Sequence, residues 1–202
     1  SGITFSTDGM KMFISGDDGS DIYQYSLTSS FDITSGVTFD GSYFTPHENS
    51  PQGVEFSVDG FRMFIIGSTG IEVNQYSLSN AFDVTSGVTF ETNFSVSGEE
   101  TSPRDLAFSP DGSKMLIVGA SGRDVTQYEL TAPFSLSSGV TVGSTFNFAS
   151  ATTNPRGFCF NSDGDRFYVT DAGAVYQFDI EIGGFDEVDL NDGYLEGSVT
   201  IT

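Results

Sequence analysis

The chain contains very few residues of the kinds that usually carry nucleophilic or metal chemistry. Its 202 residues include one cysteine, one histidine, two lysines and no tryptophan. The lone Cys159 excludes an intrachain disulfide framework and a cysteine-rich metal site. A catalytic nucleophile needs an adjacent base, and one histidine with two lysines gives no shared motif for such a pair. The sequence therefore predicts that the chain is not an enzyme.

Positive charge is also scarce. Seven basic residues face 28 acidic ones, which gives a formal net charge of -21. Such a surface repels nucleic-acid phosphates and anionic membranes, so neither is an expected partner. No apolar stretch approaches the roughly 18 residues that a membrane span needs, so no membrane insertion is expected. An acidic, lysine-poor surface suits a saline exterior such as seawater, which predicts an extracellular, cell-surface or virion location.

A repeat of about 50 residues runs through the whole chain. An Asp-Gly pair that follows a short apolar strand recurs at intervals of 51 or 52 residues. A second landmark, a glutamine beside an aromatic residue, follows the turn aspartate by 16 residues in the first three copies and by 14 in the fourth. The two landmarks are Asp8, Asp59, Asp111 and Asp163 for the turn, and Gln24, Gln75, Gln127 and Gln177 for the glutamine. Because the chain opens at Ser1-Gly2 in the middle of this pattern, we expect more of the native polypeptide to precede it.

Each copy contains four short strands. In the second copy Val54 and Phe56 alternate with polar residues, as in a strand with one buried face, and Asp59-Gly60 then makes a tight turn. Three more strands are predicted at 62–66, 73–78 and 88–94. Four antiparallel strands per tandem unit predict an all-β fold, a β-propeller of four tandem four-stranded blades. A solenoid is the alternative, but its coils are usually shorter.

The predicted propeller is one domain over residues 1–202, with blades at approximately 1–50, 51–102, 103–154 and 155–202. It is either a four-bladed ring or part of a larger propeller. Each copy supplies all four of its own strands, so no terminal strand is left to lock a ring. We therefore also expect association with further blades or with another copy of the chain.

The repeat resembles a known family at the starting prolines Pro51, Pro103 and Pro155 and, in every copy, at the strand that leads to the Asp-Gly turn and the apolar run after it. It is similar to the Asp-Gly-turn propellers of the YncE and surface-layer type, and to related repeats in marine bacterial and phage proteins. The resemblance covers essentially the whole chain. It implies a propeller that serves as an adhesin, a binding platform or a virion part, although the same fold carries other functions.

Three residues are candidate binding residues because of their places in the repeat. Glu55 stands on a first strand where the other copies have Thr4, Ala107 and Cys159. Arg104 and Arg156 both follow a repeat-starting proline, so we expect them at the same rim, where two arginines could hold a carboxylate or a sugar acid. Each has an ordinary alternative, namely a hydrated channel carboxylate for Glu55 and surface ion pairs for the arginines.

Asp17, Asp18 and Asp21 place three carboxylates in one turn, where oxygen ligands could hold Ca²⁺. A solvated acidic loop explains them equally well, and no other cofactor is expected. The Asp-Gly turns themselves are predicted to be structural, and the repeated glutamines are predicted to satisfy backbone groups between blades. The first-strand phenylalanines are predicted to be buried at equivalent positions, and these are Phe5, Phe56, Phe108 and Phe160.

These observations favour a non-catalytic binding or structural module that contacts protein or glycan through loops at a propeller rim. The alternative is a propeller hydrolase or lyase that acts on a sugar or acidic substrate, because carboxylates are plentiful.

Overall fold

A computed structural model describes residues 2–16, 19–161 and 166–179, together with the backbone of 194–200. It divides the chain into two compact units, Ser1–Val96 and Ser97–Thr202, which we call unit 1 and unit 2. Each unit contains two four-stranded sheets, and each sheet corresponds to one copy of the repeat. We number these sheets blades 1 to 4 in chain order.

All the described elements are β-strands. In unit 1, blade 1 consists of β1 (Ile3–Phe5), β2 (Lys11–Gly16), β3 (Asp21–Leu27) and β4 (Val37–Phe44), and blade 2 consists of β5 (Pro51–Phe56), β6 (Arg62–Gly67), β7 (Glu72–Leu78) and β8 (Val88–Ser95). In unit 2, blade 3 consists of β9 (Pro103–Phe108), β10 (Lys114–Gly119), β11 (Asp124–Leu130) and β12 (Val140–Asn147), and blade 4 consists of β13 (Gly157–Phe160), β14 (Arg166–Thr170), β15 (Ala174–Asp179) and β16 (Tyr194–Thr200).

Within every blade each strand pairs antiparallel with the next one along the chain. This meander confirms the predicted all-β fold, a β-propeller of four tandem blades. None of the described residues is helical, so this part of the chain has no helix that could cross a membrane. The single-domain prediction stays a prediction.

The Asp-Gly turns have the predicted structural role in the three copies that are described. Asp8 accepts hydrogen bonds from the Ser6 hydroxyl (2.6 Å) and the Met10 amide (3.0 Å), and these bonds hold the pKa of its carboxyl below the usual value. Gly9 has a φ of 69°, a conformation that disfavours any residue with a side chain. Gly60 and Gly112 have φ values of 73° and 72°. Asp163 lies outside the described residues.

Blades 1 and 2 share an apolar core and are also joined by hydrogen bonds between side chains of blade 1 and backbone groups of blade 2. Phe13 of blade 1 packs on Phe56 of blade 2 with their ring centroids 4.4 Å apart. The Gln24 amide oxygen accepts the Val84 amide N–H (2.8 Å), and the Lys11 ammonium donates to the Phe82 carbonyl (2.8 Å). The prediction that the repeated glutamine satisfies backbone groups between blades is therefore confirmed at Gln24.

The first-strand phenylalanines were predicted to be buried at equivalent positions. Phe56 is buried, whereas Phe5, Phe108 and Phe160 are only partly buried. The prediction is thus confirmed at one position, and none of the four rings is fully exposed.

A carboxylate from the linker before a blade caps the second turn of that blade. Glu48 accepts hydrogen bonds from the amides of Ser50, Thr69 and Gly70, at 2.8, 3.2 and 3.1 Å. Glu100 repeats this pattern in blade 3, and both glutamates are 1% exposed. Buried charge-assisted hydrogen bonds of this kind fix a turn that would otherwise leave amides without partners.

Blade 4 has the same cap with the carboxylate on the other side. Thr152 stands at the linker position of the two glutamates, and Asp171 stands at the strand end where blades 2 and 3 have glycine. Asp171 accepts hydrogen bonds from the amides of Gly173 and Ala174, both at 2.9 Å, and from the Thr152 hydroxyl at 3.0 Å. The carboxylate has therefore moved from the linker to the strand while the turn keeps its cap.

Candidate functional site

Unit 2 brings together the first strands of blades 3 and 4, and Asp105 lies where they meet. β9 and β13 are neighbours, and the Phe158 amide of β13 donates to the Asp105 carboxylate at 3.3 Å. The Leu106 amide donates to the other carboxylate oxygen at 3.0 Å. At this position of the repeat the other three copies have glycine, namely Gly2, Gly53 and Gly157. The carboxylate side chain of Asp105 thus takes the place of a glycine hydrogen where β9 and β13 meet.

Gly157 leaves the room that the Asp105 carboxylate occupies. A Cβ added at Gly157 would lie 3.2 Å from Asp105 Oδ2, closer than an ordinary contact. The glycine on β13 therefore leaves room for the aspartate on β9.

The environment makes Asp105 an unusual acid. Burial raises the pKa of its carboxyl to about 7, although the Phe158 and Leu106 amides both favour the charged form. The residue as a whole keeps some exposure to solvent. Burial, and secondarily the charge of Asp105, raises the pKa of the Cys159 thiol on the neighbouring strand. A carboxyl that titrates near neutral pH can both take up and release a proton, which is what acid–base catalysis requires.

Two of the predicted binding residues belong to the same pair of strands. Arg104 is left unpaired by a register shift between β9 and β10, and such bulges often re-aim side chains beside functional sites. Its Nε is buried and has no hydrogen-bond partner among the described residues. Arg156 immediately precedes β13, is exposed, and is held by its amide, which donates to the Thr170 carbonyl at 2.8 Å.

The positive charges of the chain are distributed unevenly. Each blade begins its second strand with a basic residue, and these four are Lys11, Arg62, Lys114 and Arg166. The other three basic residues are Arg104, Arg123 and Arg156, and all of them belong to unit 2. The cations that the repeat does not require are therefore concentrated in the unit that contains Asp105.

Glu55, the third predicted binding residue, belongs to unit 1. It is partly buried on β5, and its carboxylate accepts a hydrogen bond from the Thr4 hydroxyl at 3.3 Å. Thr4 occupies the same repeat position on the first strand of blade 1. The contact shows that first strands are also neighbours in unit 1, and a binding role for Glu55 stays a prediction.

The predicted calcium site falls mostly outside the described residues. This applies to Asp17 and Asp18, whereas Asp21 begins β3 and is partly buried. Within the described ranges no three histidine, cysteine or acidic side chains form a group suited to a metal ion. Calcium binding by this turn stays a prediction.

Sequence reasoning missed Asp105, although the signal was present. Glu55 was selected because it departs from its repeat equivalents, and Asp105 departs as clearly because it replaces three glycines. The strand geometry adds what the repeat alone does not give, namely that the carboxylate faces the amide of the next blade.

Comparison with known proteins supports the fold. No family model and no curated protein matches the chain. Among solved structures, a Bacteroides uniformis protein provisionally named a 6-phosphogluconolactonase is 12% identical, with a TM-score of 0.61 over 99% of this chain and 57% of its own. A similarly named Bacteroides fragilis protein is 14% identical, with a TM-score of 0.62 over 98% and 54%.

The periplasmic gluconolactonase of Pseudomonas aeruginosa is also similar, at 15% identity, with a TM-score of 0.56 over 98% of this chain and 53% of its own. The chain thus spans little more than half the length of these neighbours. At such low identity the likeness shows a β-propeller fold, and the finer resemblance to YncE and surface-layer repeats stays a prediction.

The names of these neighbours contradict the prediction that the chain is not an enzyme, because three proteins of the same fold are named as lactonases. The prediction was wrong because it counted histidine, cysteine and lysine, whereas a desolvated carboxyl can carry acid–base chemistry without them. The same names favour the hydrolase alternative and give no support to an adhesin or virion role.

Proposed function

We propose that the chain carries a hydrolase site in unit 2 that opens the lactone, or cyclic ester, of a sugar acid. The observation that carries this proposal is the Asp105 carboxyl, which replaces a repeat glycine and has a pKa of about 7. A carboxyl of this pKa is about half ionised at neutral pH, the condition that favours a general base. The lactonase names of the structural neighbours support the reaction class.

In the proposed reaction the ionised Asp105 accepts a proton from water while the water oxygen bonds to the lactone carbonyl carbon. The bond between that carbon and the ring oxygen then breaks. Asp105 returns the proton to the ring oxygen, which leaves as a hydroxyl group. One water is consumed, the product is the open-chain sugar acid, and Asp105 ends in its starting state.

Arg104 precedes Asp105 in the sequence and Arg156 immediately precedes β13, and in this proposal a guanidinium of this pair supplies positive charge where the reaction develops negative charge. Guanidinium groups stabilise a carbonyl oxygen that becomes anionic and bind carboxylate or phosphate substituents in a planar geometry. Arg104 suits this role because its Nε is buried and has no partner within the described part of the chain. A cation with an unused donor is costly to bury unless a ligand satisfies it.

The test is acid release from gluconolactone and 6-phosphogluconolactone in a pH-stat, corrected for spontaneous opening. Asp105→Gly restores the residue of the other three copies and should fold, and Asp105→Asn keeps the side-chain volume. Both should lower kcat by about 10²–10⁴-fold, the usual contribution of a general base. Glu99→Gln, which changes an exposed carboxylate of the same unit, is the matched control. Asp105→Gly with wild-type kcat, or no turnover above the spontaneous rate, would refute the proposal.

A further inference from the structure

Within unit 1 one face of blade 2 is covered by blade 1. We call this the leading face, formed by Phe82, Val84, Val88 and Phe90. Val84 is only 1% exposed and belongs to the shared core, and the other three pack against that core. Blade 1 covers the leading face with Phe13 and Ile22, which are both fully buried, and with the hydrogen bonds of Lys11 and Gln24.

The leading face of blade 1 has the same apolar character but is exposed. Its residues Phe31, Ile33, Val37 and Phe39 occupy the repeat positions of the four residues in blade 2. Ile33 is 56% exposed, whereas its equivalent Val84 is almost completely buried. Phe31 and Phe39 are exposed to a similar extent. A contiguous apolar face of this kind usually marks an interaction surface.

The trailing face of a blade is the face at the positions of Phe13 and Ile22, with which blade 1 covers blade 2. The trailing face of blade 4 is complementary to the leading face of blade 1 because it also carries apolar side chains. Tyr168 and Val175 occupy the positions at which blade 1 has Phe13 and Ile22, and both are only partly buried. Gln177 stands at the position of Gln24. The chain therefore has, on its first and last blades, the two halves of the interface that joins blades 1 and 2.

We propose that the leading face of blade 1 binds the trailing face of blade 4 in a second copy of this chain. The blade 1–blade 2 interface is the template for the contact. Val175 then packs on the apolar cluster around Ile33, as Ile22 shares a core with Val84 in unit 1. Two copies related by a two-fold axis use both faces of each chain.

A second copy would cover the exposed leading face and would also keep the number of blades within the usual range for a propeller. Propellers usually have between about four and eight blades, and two copies together supply eight. The net charge of -21 on each chain opposes the association, so salt that screens this repulsion should strengthen it. The proposal is independent of the lactonase proposal because it uses neither Asp105 nor the two arginines.

Light scattering after size-exclusion chromatography tests the proposal with the intact chain at low salt and at about 0.5 M salt, where the Debye length is only a few ångströms. We expect a mass of two copies at the higher salt concentration. Ile33→Asp should restore the mass of one copy, because a charge would be buried without a partner. Val58→Asp, at an apolar residue of unit 1 that is 54% exposed but not on the leading face, should associate like the wild type.

Circular dichroism of both variants checks that any loss of association is not a loss of folding. We expect both variants to fold, since substitutions of exposed residues rarely unfold a protein. If the wild type has the mass of one copy at every salt concentration, the proposal is wrong. It is equally wrong if Ile33→Asp associates as strongly as Val58→Asp.

Discussion

The two units solve the same junction between first strands in different ways. In unit 1 the backbones approach closely at the glycine position, since a Cβ on Gly2 would lie 2.9 Å from the Gln52 carbonyl and 3.0 Å from the Gly53 Cα. The Ser15 hydroxyl accepts the Gly2 amide N–H and donates to the Gln52 carbonyl. In unit 2 the corresponding junction contains the Asp105 carboxylate. The other copies have glycine at the position of Asp105, so we expect Asp105→Gly to fold.

The turn caps differ between blades in a way that preserves the interaction. Blades 2 and 3 use a linker glutamate opposite a glycine, and blade 4 uses a linker threonine opposite Asp171. A Cβ on Gly67 would lie 2.2 Å from the Glu48 carboxyl carbon, which explains why the glutamate requires glycine. At the turn the exchange keeps the hydrogen bonds of the cap, whereas at the first-strand junction Asp105 adds a carboxyl that the other copies lack. Variation in a repeat therefore indicates function only where the original interaction is not restored.

The largest expected effect concerns the turn cap of blade 4, in which the carboxylate belongs to Asp171 instead of to the linker. Asp171→Gly removes the acceptor of two turn amides and should lower the free energy of unfolding by about 1–3 kcal/mol. Thr152→Glu alone places a second carboxylate beside Asp171 and should also destabilise. The double variant reproduces the arrangement of blades 2 and 3 and should recover most of the loss, with a coupling energy of about 1–3 kcal/mol in urea unfolding.

The reverse exchange in blade 3, Glu100→Thr with Gly119→Asp, is the matched control and should show coupling of the same sign. If the losses in either pair simply add, the two caps are not equivalent, and the comparison between blades fails at this point.

These two differences also show how far the sequence alone leads. The strands and the Asp-Gly turns follow from local pattern, because alternation and glycine at positive φ act over a few residues. The role of Gln24 follows from the recurrence of the glutamine in every copy, since its partner Val84 is 60 residues away. The cap of blade 4 does not follow, because Thr152 and Asp171 are 19 residues apart and neither side chain indicates its partner. The pKa of Asp105 depends on the protein packed around its carboxyl, which no local pattern contains.

A second test concerns the stability cost of Asp105. Its pKa is raised in the folded state, to about 7, above the value of about 3.9 for an unfolded chain. The folded chain therefore binds this proton more tightly, so the contribution is fully present below about pH 4 and is lost as the pH rises towards 7. Asp105→Gly should remove this loss. The change that it causes in the free energy of unfolding should therefore be more favourable at pH 7.5 than at pH 4 by about 1–3 kcal/mol, after allowance for the partial exposure of the site.

Urea unfolding of both chains at the two pH values gives the comparison, and the wild type serves as its own control for the general charge repulsion. Equal effects of Asp105→Gly at pH 4 and pH 7.5 would show that the carboxyl is not perturbed. A gain in stability together with a loss of lactone hydrolysis would identify Asp105 as a residue that costs stability and supports function.

The smallest expected effect concerns metal, and it separates the turn aspartates from the acidic loop of unit 1. The carboxylates of Asp59 and Asp111 already accept hydrogen bonds from serine hydroxyls and turn amides, and these bonds lower the pKa of both. Because these hydrogen bonds already hold the turns, we expect the turns of unit 1 and unit 2 alike to need no cation. EDTA should therefore change the Tm by less than about 1 °C, below the roughly 2–4 °C that a loss of 1 kcal/mol produces in a chain of this size. A larger drop in Tm that added calcium reverses would contradict this expectation. If Asp21→Asn no longer showed that drop, the ion would be located at the predicted site of Asp17, Asp18 and Asp21.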